Sequence, residues 1–191
     1  MAQRNPNPQG KGLVPILATL AEGRAAIADV PPKRIEQVST ELFTSLFVLE
    51  SDFKFKPTAG QAYWLYRKEG RFWLSQISPE EWSGNLAGQF VGKCFLEEDL
   101  TWTLDLSDEA GEDAELMKLI EERHRALEKE IRNAKTLEEI LPRFNESLAF
   151  YQRAFSYALA HSLRASLTKS GILSLNYDDA QAQQSLAAAS K

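Results

Sequence analysis

Two runs of large apolar residues, Tyr63–Tyr66 and Phe72–Ile77, lie either side of a short Arg/Lys/Glu/Gly connection. Short aromatic-rich runs separated by a turn are the pattern of a β-hairpin. Gly70 supplies the positive φ that a tight connection demands. Successive side chains in a strand point to opposite faces. Tyr63 and Leu65 therefore share one face, and Trp64 and Tyr66 the other; on the return strand Phe72 and Leu74 oppose Trp73. Both faces carry bulky apolar groups, so each needs a cover, or one is a binding surface.

The period of two continues downstream. Gln89–Phe95 predicts a third strand, and Leu100, Trp102, Leu104 and Leu106 alternate with Thr101, Thr103 and Asp105, as in a half-buried strand. Together these place a small antiparallel sheet of three or four strands within residues 54–106.

Elsewhere the period is helical. Pro15 to Val30 has the Ala/Leu content of a helix that Pro31-Pro32 stops. From Lys33 to Asp52 the residues Ile35, Val38, Leu42, Leu46 and Leu49 form one stripe, which Phe43 and Phe47 widen. Asp113 to Ala134 carries Leu116, Ile120, Leu127 and Ile131 on a seam, with Glu121→Arg125 and Glu128→Arg132 in register to pair outside it. Thr136 to Glu139 has the form of a capping box, a long helix is expected from about Pro142 to Lys169, and Gly171 is a natural C-cap. The middle of that helix is apolar nearly all round, which predicts burial between several elements or pairing with a second copy.

The fold class expected is therefore α+β: a small three- or four-stranded antiparallel sheet packed against N-terminal and long C-terminal helices. One domain over residues 13–175 accounts for it, with helices at 15–52, the sheet at 54–106 and helices at 112–170. Residues 1–12 read as a flexible leader, and residues 176–191 as a compositionally biased tail, helical or frayed.

Charge narrows the function classes. The net charge is -5, whereas a general nucleic-acid binder is basic over its contact face. Residues 97–146 hold 16 acidic and 7 basic side chains, while residues 53–96 hold 3 acidic and 6 basic. This asymmetry suits docking of an acidic helix on the sheet, or steering of a partner. The single cysteine, Cys94, forms no intramolecular disulfide and suits a reducing compartment. The N-terminus has no apolar signal core, and no run approaches the ~18 apolar residues of a membrane span. A cytoplasmic protein without a membrane segment is expected.

Several motifs suggest chemistry but have simpler structural explanations. In Ile77-Ser-Pro-Glu-Glu-Trp82, Ser78 and Glu81 form a capping box, Pro79 fills the first helical position, and Ile77 and Trp82 are in register for a hydrophobic staple. The pair Glu80–Glu81 thereby loses its appeal as an acid/base couple. Glu121 to His124 has the Glu-x-x-His spacing of di-iron bundles, but His161 has Ala158 in the matching place, so no metal site is predicted. Gly10-Lys11-Gly12 lacks the rest of a phosphate loop. No catalytic group and no cofactor is assigned.

The leading expectation is a non-catalytic interaction or structural module with a protein partner or a second copy. The alternative is a small-molecule or nucleotide-binding protein, with an enzyme as one form of it. It would use an aromatic pocket on the sheet, with Trp64, Tyr66 and Trp73 lining it and Arg67 or Arg71 meeting an anion.

The segment also resembles a known family. Tyr63–Tyr66, Gly70, Ser75–Trp82, Phe90–Gly92 and Leu96–Trp102 fit a pattern of Tyr-x-Leu-Tyr, a Gly turn, Ser-x-Ile-Ser-Pro-x-x-Trp, Phe-x-Gly and Leu-x-x-Asp-x-x-Trp. This is similar to an uncharacterised domain-of-unknown-function family of bacteria and animals, whose bacterial members start like the Asn-Pro-Gln-Gly-Lys-Gly leader here. The resemblance covers residues 54–104 and the leader. It implies a domain boundary but no catalytic residue.

Overall fold

A computed structural model describes residues 30–83, 86–143 and 145–189. The leader, and the helix expected over 15–30 apart from Val30, lie outside the described residues. In chain order come α1 (Ile35–Leu49), β1 (Ala62–Lys68), β2 (Arg71–Ser75), a 3-10 turn (Pro79–Glu81), β3 (Gln89–Leu96) and β4 (Trp102–Leu106). Then follow α2 (Asp108–Glu112), α3 (Ala114–Asn133), α4 (Phe150–Lys169) and α5 (Tyr177–Ala189). The fold is α+β, with a four-stranded antiparallel sheet in the order β2-β1-β3-β4.

The β1–β2 hairpin closes through Glu69 (φ 51) and Gly70 (φ 76). Two consecutive left-handed residues match the twist of the flanking strands. Outside β2, Asp52 donates to Phe72 O and accepts from Leu74 N at 2.9 and 3.0 Å, which blunts that sheet edge. Between β1 and β3 the register slips at Leu65/Tyr66, leaving Val91 as the extra residue of a bulge. Ser107 picks up the displaced backbone, its N–H donating to Val91 O at 2.9 Å and its hydroxyl to Phe90 O at 3.0 Å. It also caps α2. Gly92 permits β4 to approach, since a Cβ there would lie 2.3 Å from Asp105 O.

The core lies on the face carrying Tyr63, Leu65, Leu74, Cys94, Leu96 and Trp102. Helix α1 covers it with Ile35, Val38, Leu42 and Leu49, and Ser45 Oγ accepts from Trp102 N at 2.9 Å. Helix α4 buries Phe155, Leu159, Leu163 and Leu167 in the same core. Much of its apolar surface is thus used within the chain.

Three local expectations differ from the structure. Helix α4 begins at Phe150 rather than near Pro142, because Asn145 Oδ1 accepts from Ser147 N and Oγ (3.0 and 2.7 Å) and holds a turn instead. The Thr136 box starts no helix: Leu137 N and Glu138 N donate to Leu175 O and Leu173 O. Arg132 turns from Glu128 towards Asp178 (3.6 Å) and the Tyr177 ring (4.6 Å). Within the biased tail, α5 is docked by its glutamines. Gln184 accepts from Ile35 N and donates to Lys33 O, and Gln181 donates to Glu36 Oε1.

Lys33 is the charged node of this region. It is 7% exposed, and its Nζ donates to Glu41 Oε2 at 2.6 Å and to Asp99. Burial alone would lower the ammonium's pKa, but the bonds to Asp99 and Glu41 outweigh it and hold the group above its ordinary value. Asp99 also accepts from Thr101 N and Oγ1, at 3.1 and 2.6 Å. Burial opposes its charge, yet Lys33 and Thr101 hold the carboxyl below its usual range. The raised Lys33 contributes stability until pH passes its folded pKa, above ~10.4. The depressed Asp99 contributes above ~3.9 and loses its contribution as pH falls through its folded value. Lys33→Met strands two carboxylates and is expected to cost about 3 kcal/mol at pH 7 in urea denaturation. That deficit should shrink below about pH 4, as Asp99 takes up a proton. A deficit that stays constant down to pH 2.5 would contradict this assignment.

Candidate functional site

The second sheet face is covered in part by the chain between β2 and β3. Tyr66 stacks on Trp73, ring centroids 5.0 Å apart, and Trp82 stands edge-on to both at 6.3 and 5.7 Å. Phe90 lies beside Tyr66 at 5.6 Å. Three hydrogen bonds tie the loop down: Tyr66 Oη donates to Ile77 O (3.0 Å), Trp73 Nε1 to Ala87 O (3.1 Å) and Lys68 Nζ to Leu86 O (3.2 Å). Gly88, with φ +85, lets the loop re-enter the sheet, since a Cβ there would fall 2.5 Å from Arg67 O.

The Ser78 box forms, Ser78 N donating to Glu81 Oε2 at 3.0 Å, but it opens only the single 3-10 turn Pro79–Glu81. The expected staple is absent. Ile77 is 41% exposed, and Trp82 leaves the turn extended and packs on the sheet aromatics instead. Between this turn and β3 opens a cleft of about 350 Å³, lined chiefly by Tyr66, Pro79, Trp82, Gly88, Phe90 and Glu109. Burial raises the Tyr66 hydroxyl above its ordinary pKa; the Trp82 indole opposes this and the Glu80 and Glu81 carboxylates add to it.

The five residues singled out from the sequence do not converge. Tyr66 lines the cleft and Trp73 backs it. Trp64 shares their face but is paired with Ser75 and Lys93, away from the cleft. Arg67 belongs to the opposite face, 3.1 Å from Glu115 Oε1 and 3.7 Å from Asp113 Oδ2. Arg71 is exposed at the hairpin's return. Phe90, marked in the sequence only as part of the Phe-x-Gly match, and Glu109, which no signature marks, also line the cleft. Beyond the loop the same face is open: Phe95 is 37% exposed, with Lys93 Nζ 5.0 Å from its ring centre. Cys94 is fully buried, and burial pushes its thiol far above the reactive range.

A second concavity separates α1 from α3. Leu116 and Ile131 anchor the ends of α3 in the core, whereas Ile120 and Leu127 between them are half-buried. The gap forms two openings of about 410 and 220 Å³ that share Phe43 and Leu127. Leu46, Phe47 and Ala126 extend the apolar floor of the larger. On the rim Arg123 pairs with Glu50 at 2.7 Å, and Glu130, Glu36 and Glu128 stand beside it. His124 meets the Phe43 ring edge-on at 4.7 Å, with Nδ1 3.9 Å from Glu128. Among the described residues, no three His, Cys, Asp or Glu side chains group as a metal site. No described helix is long and apolar enough to cross a membrane.

The family described as "Protein of unknown function (DUF2452)" matches residues 36–134, more than half of the chain, and the protein belongs to it. The match starts in α1 and ends just past α3, so it contains the whole sheet, the cleft and both walls of the groove. Helices α4 and α5 lie outside it. No curated protein and no solved structure matches the chain.

Removing the Tyr66 hydroxyl tests how the loop is held. Tyr66→Phe is expected to cost about 1 kcal/mol and to speed amide exchange in residues 76–83 and 86–88, leaving β3–β4 exchange unchanged. Equal exchange in that loop would show that the bond to Ile77 O does not restrain it.

Proposed function

We propose that this member of the family is a non-catalytic cytoplasmic interaction module that takes an amphipathic helix of a protein partner into the groove between α1 and α3. The observation that supports it is the combination of an apolar floor with an acidic rim. Phe43, Leu46, Phe47 and Leu127 form the floor; Glu36, Glu50, Glu128 and Glu130 outnumber Arg123 on the rim. The larger opening lies along α1 from Phe43 to Glu50, roughly 10 Å at 1.5 Å per residue, or about two turns of a docked helix, and the smaller lies on the other side of the Phe43–His124 contact. An amphipathic helix laid in such a groove is a recurrent mode of recognition, read at i, i+3, i+4 and i+7 spacing. The acidic rim selects a helix flanked by Lys or Arg.

A second reading is a small-ligand protein that uses the aromatic cleft. Tyr66, Trp82 and Phe90 line an opening of about 350 Å³, within the size range of small-molecule sites. A nucleotide suits it less well. Of the two candidate anion contacts, Arg67 is already engaged with Glu115 and Asp113, and Arg71 is exposed at the hairpin's return and does not line the cleft.

Ala126 is exposed on the groove wall, so Ala126→Trp fills the groove without disturbing the core. A leucine- and lysine-patterned helical peptide is expected to shift amide resonances along α1 and α3, and Ala126→Trp should weaken binding at least tenfold. Binding that Ala126→Trp leaves unchanged would remove the groove from the account. Light scattering of the unliganded protein separates this reading from self-association, which a concentration-dependent dimer lost in Ala126→Trp would indicate.

A further inference from the structure

We propose that Glu130 is the specificity-determining residue of the larger opening: it pairs with a Lys or Arg of the docked helix and so fixes the direction in which that helix lies. The inference rests on the groove reading and names the feature of the partner that the groove recognises. One wall of the opening is the strip Arg123, Ala126, Leu127 and Glu130. Their spacing of i, i+3, i+4 and i+7 puts all four on one face of α3. The strip runs from a cation, across two apolar side chains, to an anion. Its charged ends are seven residues apart, roughly 10 Å at 1.5 Å per residue, which matches the stretch of α1 opposite.

The two ends differ in what they leave free. Arg123 is engaged within the chain: its Nη1 donates to Glu50 Oε2 at 2.7 Å, and its guanidinium lies 5.6 and 5.9 Å from the ring centres of Phe47 and Phe72. The Glu50 carboxylate is engaged with it. Glu130 is exposed, and among the described residues nothing forms an ion pair or side-chain hydrogen bond with it. Its own helix does not neutralise it either, because the positions three and four residues away are Ala126, Leu127, Asn133 and Ala134. Glu36 and Glu128 line the smaller opening, beyond the Phe43–His124 contact. Among the described residues that line the larger opening, Glu130 alone carries an uncompensated charge. Charges at a rim set register and partner choice more than affinity. A helix whose apolar residues meet Phe43, Phe47 and Leu127 therefore presents its cation at the Glu130 end; at the other end a cation is repelled by Arg123.

Titration of the full chain with a helical peptide, followed by calorimetry and by amide resonances, tests this. The peptide carries leucines at i and i+4 and one lysine at i+7; its companion has glutamate in place of the lysine. Glu130→Gln is expected to weaken the lysine peptide about threefold and Glu130→Lys about tenfold. Glu130→Lys should in turn bind the glutamate peptide more tightly than the unaltered protein does. Glu128→Gln, beyond the Phe43–His124 contact, should change binding of the lysine peptide less than about twofold. Residues 128 and 130 are both exposed, so these substitutions leave the core intact. A nitroxide at the lysine end of the peptide should broaden amides around Glu130 and spare those around Arg123. Equal losses in Glu128→Gln and Glu130→Gln, no recovery when the charges are exchanged, or equal broadening at both ends would overturn the assignment. The groove reading survives that result if Ala126→Trp still weakens the peptide. No binding of the lysine peptide to the unaltered protein would overturn both.

Discussion

Everything in this fold follows from a sheet that carries large apolar side chains on both faces. One face is covered conventionally, by α1 and α4 packing over Tyr63, Leu65, Cys94 and Trp102. For the other face there is no second helical layer among the described residues. The chain uses its own β2–β3 connection instead, bonding it down through Tyr66 and Trp73. That cover reaches only one end of the sheet. Where it stops, the cleft opens, and beyond it Phe95 remains exposed. The candidate ligand site is thus the margin of an incomplete cover.

The second candidate site has a parallel origin. Helix α3 is held in the core by Leu116 and Ile131, and its middle meets α1 through His124 on Phe43 and Arg123 on Glu50. Apolar openings with a charged rim are left on either side of the Phe43–His124 contact. Apart from Tyr177 of α5, which lines the smaller opening, the lining of both concavities lies inside the stretch that the family shares, whereas α4 and α5 complete the core from outside it. The buried Lys33 node joins the start of α1 to the β3–β4 turn, and Ser170 and Gln184 bond to its carbonyl oxygen.

The sheet was legible in the sequence because its signals are local: alternation, aromatic runs and a Gly turn act over a few residues. The C-terminal stop of α4 was legible for the same reason, since Gly171 adopts φ +71 just past the helix. The failures are non-local or competitive. Trp73 finds its acceptor 14 residues away at Ala87, and Arg67 finds Glu115 at a separation of 48. No spacing rule announces either contact. The Ser78 box was recognised, but Trp82 gained more by packing on Tyr66 and Trp73 than by continuing a helix. Nothing in the sequence marks Lys33, whose partners Glu41 and Asp99 lie 8 and 66 residues away. Of the site, sequence supplied Tyr66 and Trp73 and marked Trp82 and Phe90 only as motif positions; the fold brought these together with Glu109 from α2.

The central claim is that the β2–β3 connection folds back as the cover of the second sheet face. Aromatic nuclear Overhauser contacts test it most directly. The structure predicts contacts from the Trp82 indole to the rings of both Tyr66 and Trp73, whose centroids lie 6.3 and 5.7 Å away. It also predicts one from the Trp73 indole N–H to the backbone around Ala87. A Trp82 with averaged, solvent-like shifts and no contact to either ring would contradict the account.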